Sequence, residues 1–184
     1  MKHKALLMDE NAVKRALTRI SHEIIEHNDG TENVVIVGII SRGKALAEVL
    51  CDNIESIEGK RPQCGHLNIH FYRDDLSSRS DAPVVKDDKL PFSVEGKDVV
   101  LVDDVIYTGR TARAAIEAVF GQGRPRTVQL AVLVDRGHRE LPIRSDYVGK
   151  NVPTSRNEVI KVAIPPFDDK TAVDIYEKER NAGL

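Results

Sequence analysis

Two apolar runs constrain this chain more than anything else in it: NVVIVGI at 33–39 and VVLV at 99–102. A continuous, largely β-branched run without polar alternation suits a strand buried on both faces, as in parallel sheets covered by helices. The segments around these runs supply the helices. Within Asp9 to Glu26, residues Val13, Leu17, Ile20 and Ile24 recur at steps that place them on one face. Asp9 stands as a cap and Asn28-Asp29-Gly30 as a stop signal. Lys44 to Ile57 returns to helical spacing through Leu46, Val49, Leu50 and Ile54, and HLNIHFY at 66–72 alternates as a strand. Further on, Asp98 to Val102 reads as strand, Thr111 to Phe120 as helix and Thr127 to Val134 as strand. Alternating buried strands and helices predict an α/β fold built on a parallel sheet with right-handed crossovers. Glu158 to Ile164 and Ala172 to Glu177 read as two more strands or one hairpin.

The chain has 184 residues, the size of one ordinary domain with a proper core. No apolar run reaches membrane-spanning length, and MKHKALLMDE meets acid before it could form a signal-peptide core, so a cytoplasmic protein with no membrane partner is expected. Cys51 and Cys64 lack metal-ligand spacing and suit a reducing compartment as small buried hydrophobes. A net charge of −2 announces no nucleic-acid partner, although a local cluster of arginines would escape that total. Arg73 to Pro91 is rich in charge, serine and proline, with little apolar periodicity, and reads as a loop of the length that usually carries function.

The chemistry concentrates in VVLVDDVIYTGRTARAAIEAV. An apolar strand ends at Asp103 and Asp104, and a loop with Thr108, Gly109, Arg110 and Thr111 opens into a helix. Ligands of open parallel sheets sit beyond the carboxyl ends of the strands. A helix N-terminus offers free N–H groups and partial positive charge to a phosphate, Gly109 allows close backbone approach, and the threonine hydroxyls add donors. Two carboxylates suit vicinal ribose hydroxyls, or a hard cation that also bridges phosphate oxygens. A 5′-phosphate, a diol and a magnesium-bound diphosphate occur together in phosphoribosyl pyrophosphate (PRPP). No GxxxxGK[ST] loop is present. The plainer reading is a solvated acid pair followed by a helix cap; the pair and the TGRT loop together on one strand–helix junction favour the ligand site.

This stretch resembles the PRPP-binding motif of type I phosphoribosyltransferases, with Val105, Ile106 and Tyr107 completing it between the acids and Thr108. The segments RALTRISHEIIE, YRDDL, VDDVIYTGRTARAA, LAVLVDRGHRELPIR and YVGKNVPTSR extend the resemblance over nearly the whole chain, to the bifunctional pyrimidine operon regulator (PyrR) family. The resemblance implies a single domain over 1–184: a central parallel sheet flanked by helices, a mobile loop at about 73–91 and hood elements at about 137–184. It implies uracil phosphoribosyltransferase activity with Mg2+, held through PRPP and by Asp103 and Asp104. It further implies attenuation of pyrimidine genes through their leader messenger RNA, a response to uridine nucleotides, and a homo-oligomer, dimer or tetramer.

By the same resemblance, Ser41, Arg42 and Gly43 hold the diphosphate, and their place after the first buried strand agrees independently. Arg73 opens the closing loop and joins the acid pair as a catalytic residue, while Arg136 and Ile160 meet the base. Tyr107 stands where purine enzymes of the superfamily commonly place an acid, which weakens a purine reading. Arg15, Thr18, Arg19 and His22 lie opposite the apolar stripe of the first helix. With His138, Arg139, Arg144, Lys150 and Arg156 they form two basic sets, which spacing alone reads as solvated faces and the resemblance reads as RNA-binding. Ser41 departs from a frequent threonine, Lys44 from a frequent apolar residue and His27 from a frequent arginine. Two rival functions remain at this level: an RNA-binding regulator with a nucleotide-sensing pocket and little catalysis, and a phosphoribosyltransferase for another base with no RNA role.

Overall fold

A computed structural model describes residues 1–69 and 89–179. Its elements are β1 (Lys2–Met8), α1 (Glu10–His27), β2 (Val34–Ile39), α2 (Arg42–Glu58), β3 (Gln63–Leu67), β4 (Asp98–Ile106), α3 (Arg110–Phe120), β5 (Thr127–Asp135), β6 (Tyr147–Asn151), β7 (Glu158–Ala163) and β8 (Ala172–Glu177). The main sheet has five strands in the order β3-β2-β4-β5-β6, and every pairing in it is parallel.

Strand periodicity sorts the core into two layers. Val34 and Ile36, Val100 and Val102, and Ala131 and Leu133 face α1 and α2. Their neighbours Val35 and Val37, Val99 and Leu101, and Leu130 and Val132 face Ala112, Ala115 and Val119 of α3. Both faces of the central strands are therefore dry, which is why their sequence runs apolar without alternation. The predicted stripe of α1 is the buried one, with Val13, Leu17, Ile20 and Ile24 each at most 3% exposed. Asp9 caps α1 by accepting the Ala12 N–H at 2.7 Å. Asp9→Ala is expected to cost about 1 kcal/mol in denaturant unfolding, since that N–H loses its acceptor.

A second sheet, β1-β8-β7, is antiparallel. It joins the α1/α2 side of the core through Met8, Ile160, Val162, Ile164 and Val173. Of the strands in the expected hood region, β7 and β8 lie in this small sheet, whereas β6 extends the main sheet beside β5. The small sheet takes its third strand from the N-terminus.

The strands differ from the sequence expectation in several details: β4 continues through the acid pair to Ile106 instead of ending before it. β1 and β6 were not expected, and β3 covers 63–67 where the alternation had suggested 66–72. Hydrogen bonding to β2 fixes that register, pairing Val35 with Gln63 and Ile39 with Leu67. Residues 70–72 and most of the expected loop, with Arg73, lie outside the described residues. Among the described residues, no helix is long and apolar enough to cross a membrane.

Candidate functional site

β4 runs through the acid pair and ends at Ile106, so Asp103 and Asp104 lie within its last turns of ladder, opposite Val132 on β5 in the case of Asp103. The pair is tied to its own backbone: Asp104 N–H donates to Asp103 Oδ1 at 2.9 Å, and Val105 N–H donates to Asp104 Oδ1 at 3.0 Å. Desolvation pushes the Asp104 carboxyl above its ordinary value; its interaction with Asp103, the Val105 N–H and the Arg42 charge pull the other way.

Two cavities meet at Asp103. The larger, about 410 Å³, is lined by Asp103, Val105 to Ala112, Leu130, Val132 and Arg136. The smaller, about 300 Å³, is lined by Ile39 to Arg42, Ile69, Asp103 to Val105 and Thr111. Both share Asp103, Val105 and Thr111. The predicted residues from three separate segments are thus gathered around one cleft at the carboxyl ends of β2 and β4.

The phosphate loop is built at the start of α3. Gly109, at φ 93°, turns the chain into Arg110, where a residue bearing Cβ would be strained. The Thr108 carbonyl accepts from the Glu140 and Leu141 N–H groups at 2.9 and 3.2 Å, and Arg110 Nε donates to Glu140 at 2.8 Å. The loop is therefore braced from behind by the segment after β5.

Arg136 is buried, with its guanidinium carbon 4.1 Å from the centre of the Tyr107 ring. Nε donates to Thr154 Oγ1 at 3.1 Å, and an Nη donates to the Glu158 carbonyl at 2.8 Å. Burial pulls its pKa below the ordinary arginine value. Together they form a flat cationic wall of the larger cavity. Sequence reasoning had Tyr107 as a loop residue and Arg136 as a base contact, without the stack between them. Ile160, expected beside the base, instead lies on β7 in the core cluster with Val152, Val162 and Ile164 and lines neither cavity. The reason is β7's alternation: Glu158, Ile160 and Val162 turn to the buried side.

The two basic sets have different fates. Asn11, Lys14, Arg15, Thr18, Arg19 and His22 line one shallow groove along α1. Arg19 spans from there to β6, donating to the Val148 and Gly149 carbonyls at 2.9 Å each, and Lys150 donates to the Leu7 carbonyl at 2.9 Å. Thr18 Oγ1 donates back to the Lys14 carbonyl. Arg144 and Arg156 are exposed, with no side-chain hydrogen bond among the described residues. Arg139, by contrast, is committed inward: it donates to the Tyr107 carbonyl at 2.8 Å and the Ile143 carbonyl at 2.9 Å, and pairs with Asp135. His138 touches the Tyr107 ring edge-on and the Thr154 carbonyl. Neither lines either cavity; both brace Tyr107 from outside the cleft. Asp168, which sequence reasoning missed in the aperiodic stretch PPFDD, pairs with Arg42.

The comparisons agree with this geometry. A model of the phosphoribosyl transferase domain matches residues 6–166. The bifunctional protein PyrR of Clostridium perfringens is 58% identical over 174 residues, covering 95% of this chain and 98% of that protein. Bifunctional protein PyrR of Clostridioides difficile is 58% identical over 177 residues, covering 96% and 100%. Among solved structures, the hypoxanthine phosphoribosyltransferase of Staphylococcus aureus superposes with a TM-score of 0.72 at 18% identity, covering 94% of this chain and 92% of that one. The Trypanosoma cruzi enzyme gives 0.73 at 17% identity, covering 96% and 98%; at these identities the likeness establishes the fold. From matches over nearly its full length, the chain belongs to the bifunctional PyrR family of phosphoribosyl transferase domain proteins.

Proposed function

We propose that this protein transfers the phosphoribosyl group of PRPP to uracil, giving UMP and diphosphate, and that it also binds pyrimidine leader RNA under the control of uridine nucleotides. The observation that carries the first half is the pair of cavities meeting at Asp103, with Asp104 lining the smaller of them. A 5′-phosphate fits the N–H groups of Thr108 to Thr111, and a diphosphate fits the lobe of Ser41, Arg42 and Gly43. The ribose between them lies against the acids, whose negative charge stabilises positive charge developing at the anomeric carbon. The base lies toward Tyr107 and Arg136. No side chain attacks covalently.

The donor set also suits magnesium. Among the described residues no cluster of three or more metal-binding side chains exists, so the ion would be shared between this acid pair and the ligand's own oxygens. Asp104 is desolvated and has no cation in hydrogen-bonding contact among the described residues, so a bound cation would relieve its burial. Magnesium bound there supplies charge neutralisation for the diphosphate leaving group.

The RNA half rests on the α1 groove together with the exposed Arg144 and Arg156, none of which lines either cavity. Phosphates and unstacked loop bases are what arginine meets on folded RNA. Arg15→Glu with Arg144→Glu is expected to weaken leader-RNA binding at least about tenfold and to flatten the log–log salt slope by about 0.7–0.9 per lost phosphate contact, with uracil turnover kept. Arg139→Glu should instead lower turnover, because it frees the Tyr107 and Ile143 carbonyls and strands Asp135. A gel shift across salt, with and without UMP, beside a labelled-uracil assay, checks both. Unchanged RNA affinity in the first variant would move the RNA surface elsewhere, and absence of UMP formation by the parent would leave only the regulator.

A further inference from the structure

Arg42 is held by Asp168, from the segment that joins two strands of the small sheet. Its Nε donates to Asp168 Oδ2 and an Nη to Asp168 Oδ1, both at 3.0 Å, a bidentate pair. Arg42 opens α2 in the main layer, and Asp168 lies in the segment joining β7 to β8, so the pair bridges the two sheets. Asp168 is itself fixed: its N–H donates to the Ile164 carbonyl at 3.1 Å, and Oδ2 accepts the Ile164 N–H at 3.0 Å. The two side chains are 35% and 25% exposed, so solvent reaches the pair without dissolving its geometry.

A side-on bidentate contact engages two of the five guanidinium N–H groups and leaves the opposite edge. Arg42 lines the smaller cavity together with Asp103 and Asp104. The Asp168 hydrogen bond is the largest influence raising the Arg42 pKa, and the charge of Asp104 adds to it, so the guanidinium also feels the acid pair. An arginine without a tether beside two carboxylates would swing onto them. That contact would neutralise both the cation meant for a diphosphate and the carboxylates meant for the ribose or a metal.

We propose that Asp168 is a positioning residue: it keeps Arg42 off Asp104 and aims the remaining guanidinium edge into the smaller cavity, where it meets the diphosphate of PRPP. The inference rests on the reading of the cleft as a PRPP site. Its sign is unusual. Removing a carboxylate beside an anion site ordinarily strengthens anion binding by reducing repulsion. Here its removal weakens binding, because the arginine is lost to the acid pair.

Asp168→Asn keeps an oxygen for the Ile164 N–H while presenting an amide to the guanidinium. With magnesium and PRPP, the expected result is a KM for PRPP raised about tenfold with kcat within about threefold of the parent, a loss of binding shared by ground and transition states. Calorimetric titration with PRPP and magnesium alone should show the same weakening. In an Arg42→Gln background, Asp168→Asn should change nothing further. Asp168→Glu, which keeps the charge, should recover part of the affinity. PRPP binding by Asp168→Asn as tight as the parent's or tighter overturns the proposal, and so does an equal loss in the Arg42→Gln background. A parent that binds PRPP and shows this coupling but makes no UMP upholds the pair and overturns only the choice of uracil. A parent that binds no PRPP overturns both.

Discussion

Asp103→Asn and Asp104→Asn are each expected to lower uracil turnover by about 10²–10³-fold, the scale of losing one preorganised electrostatic contact to a transition state. The fold should hardly respond. Each asparagine keeps an oxygen for the N–H that its aspartate now accepts, Asp104 N–H for residue 103 and Val105 N–H for residue 104. What changes is charge, at Asp103 where it is shared by both cavities and at Asp104 in the smaller one. At Asp104 the change should even help stability. Its carboxyl lies above the ordinary value because burial penalises the ion, so the ionised form is held at the expense of the fold. A raised acid favours the folded state less once the unfolded chain ionises. The advantage of Asp104→Asn over the parent should therefore be absent below the ordinary aspartate range, grow as pH rises through it, and level off above the folded pKa. Calorimetric melting across pH, beside the turnover assay, separates the two effects. Parental turnover in both variants would remove the acid pair from the chemistry.

The parts of this molecule that the sequence discloses are those where a single local rule dominates. Buried central strands must be apolar throughout, so β2, β4 and β5 were legible, and α1 was legible from its stripe and its Asp9 cap. The acids and the TGRT loop were legible because a phosphate site needs a strand end and a helix start in direct succession. β1 was not, since six of its seven residues are partly or wholly exposed at a sheet edge, and it bears no alternation to read. β6 escaped because its five residues hold a glycine, Gly149, pressed against the Leu133 carbonyl. Side-chain commitments were the hardest to see. Arg139 and Arg144 look alike in the chain, yet one is tied to three carbonyls and an aspartate while the other is exposed. Arg42 and Asp168 are separated by 126 positions, and no spacing rule connects residues that distant.

Gly43→Ala is expected to damage both the fold and the site. A Cβ at Gly43 would stand 2.4 Å from the Val102 carbonyl oxygen and 3.2 Å from Asp103 Cα, with main chain on both counts. Gly38 faces the same junction, where a Cβ would meet Lys44 Cα at 2.6 Å and the Gly43 carbonyl at 2.7 Å. Neither glycine is needed for a left-handed backbone; each is needed because β2, the first turn of α2 and β4 approach with no room between them. That approach is what sets the diphosphate loop beside the acid pair. An alanine forces the first turn of α2, with Arg42 upon it, away from β4. Overpacking of this kind costs about 1–3 kcal/mol, since backbone cannot rotate aside as a side chain would. The displacement matters more for catalysis: a shift of about 1 Å between binding groups is enough for a loss of about 100-fold. Gly121→Ala is the matched control. Gly121 sits at φ −67°, with its nearest neighbours at 3.5 Å, so an added methyl fits and should stabilise by about 0.4–1 kcal/mol through the unfolded chain, with turnover kept. Urea unfolding and turnover of the two variants, each normalised to folded protein, test the contrast. Equal behaviour of Gly43→Ala and Gly121→Ala would mean that the close approach of α2 to β4 does not set the geometry of the cleft.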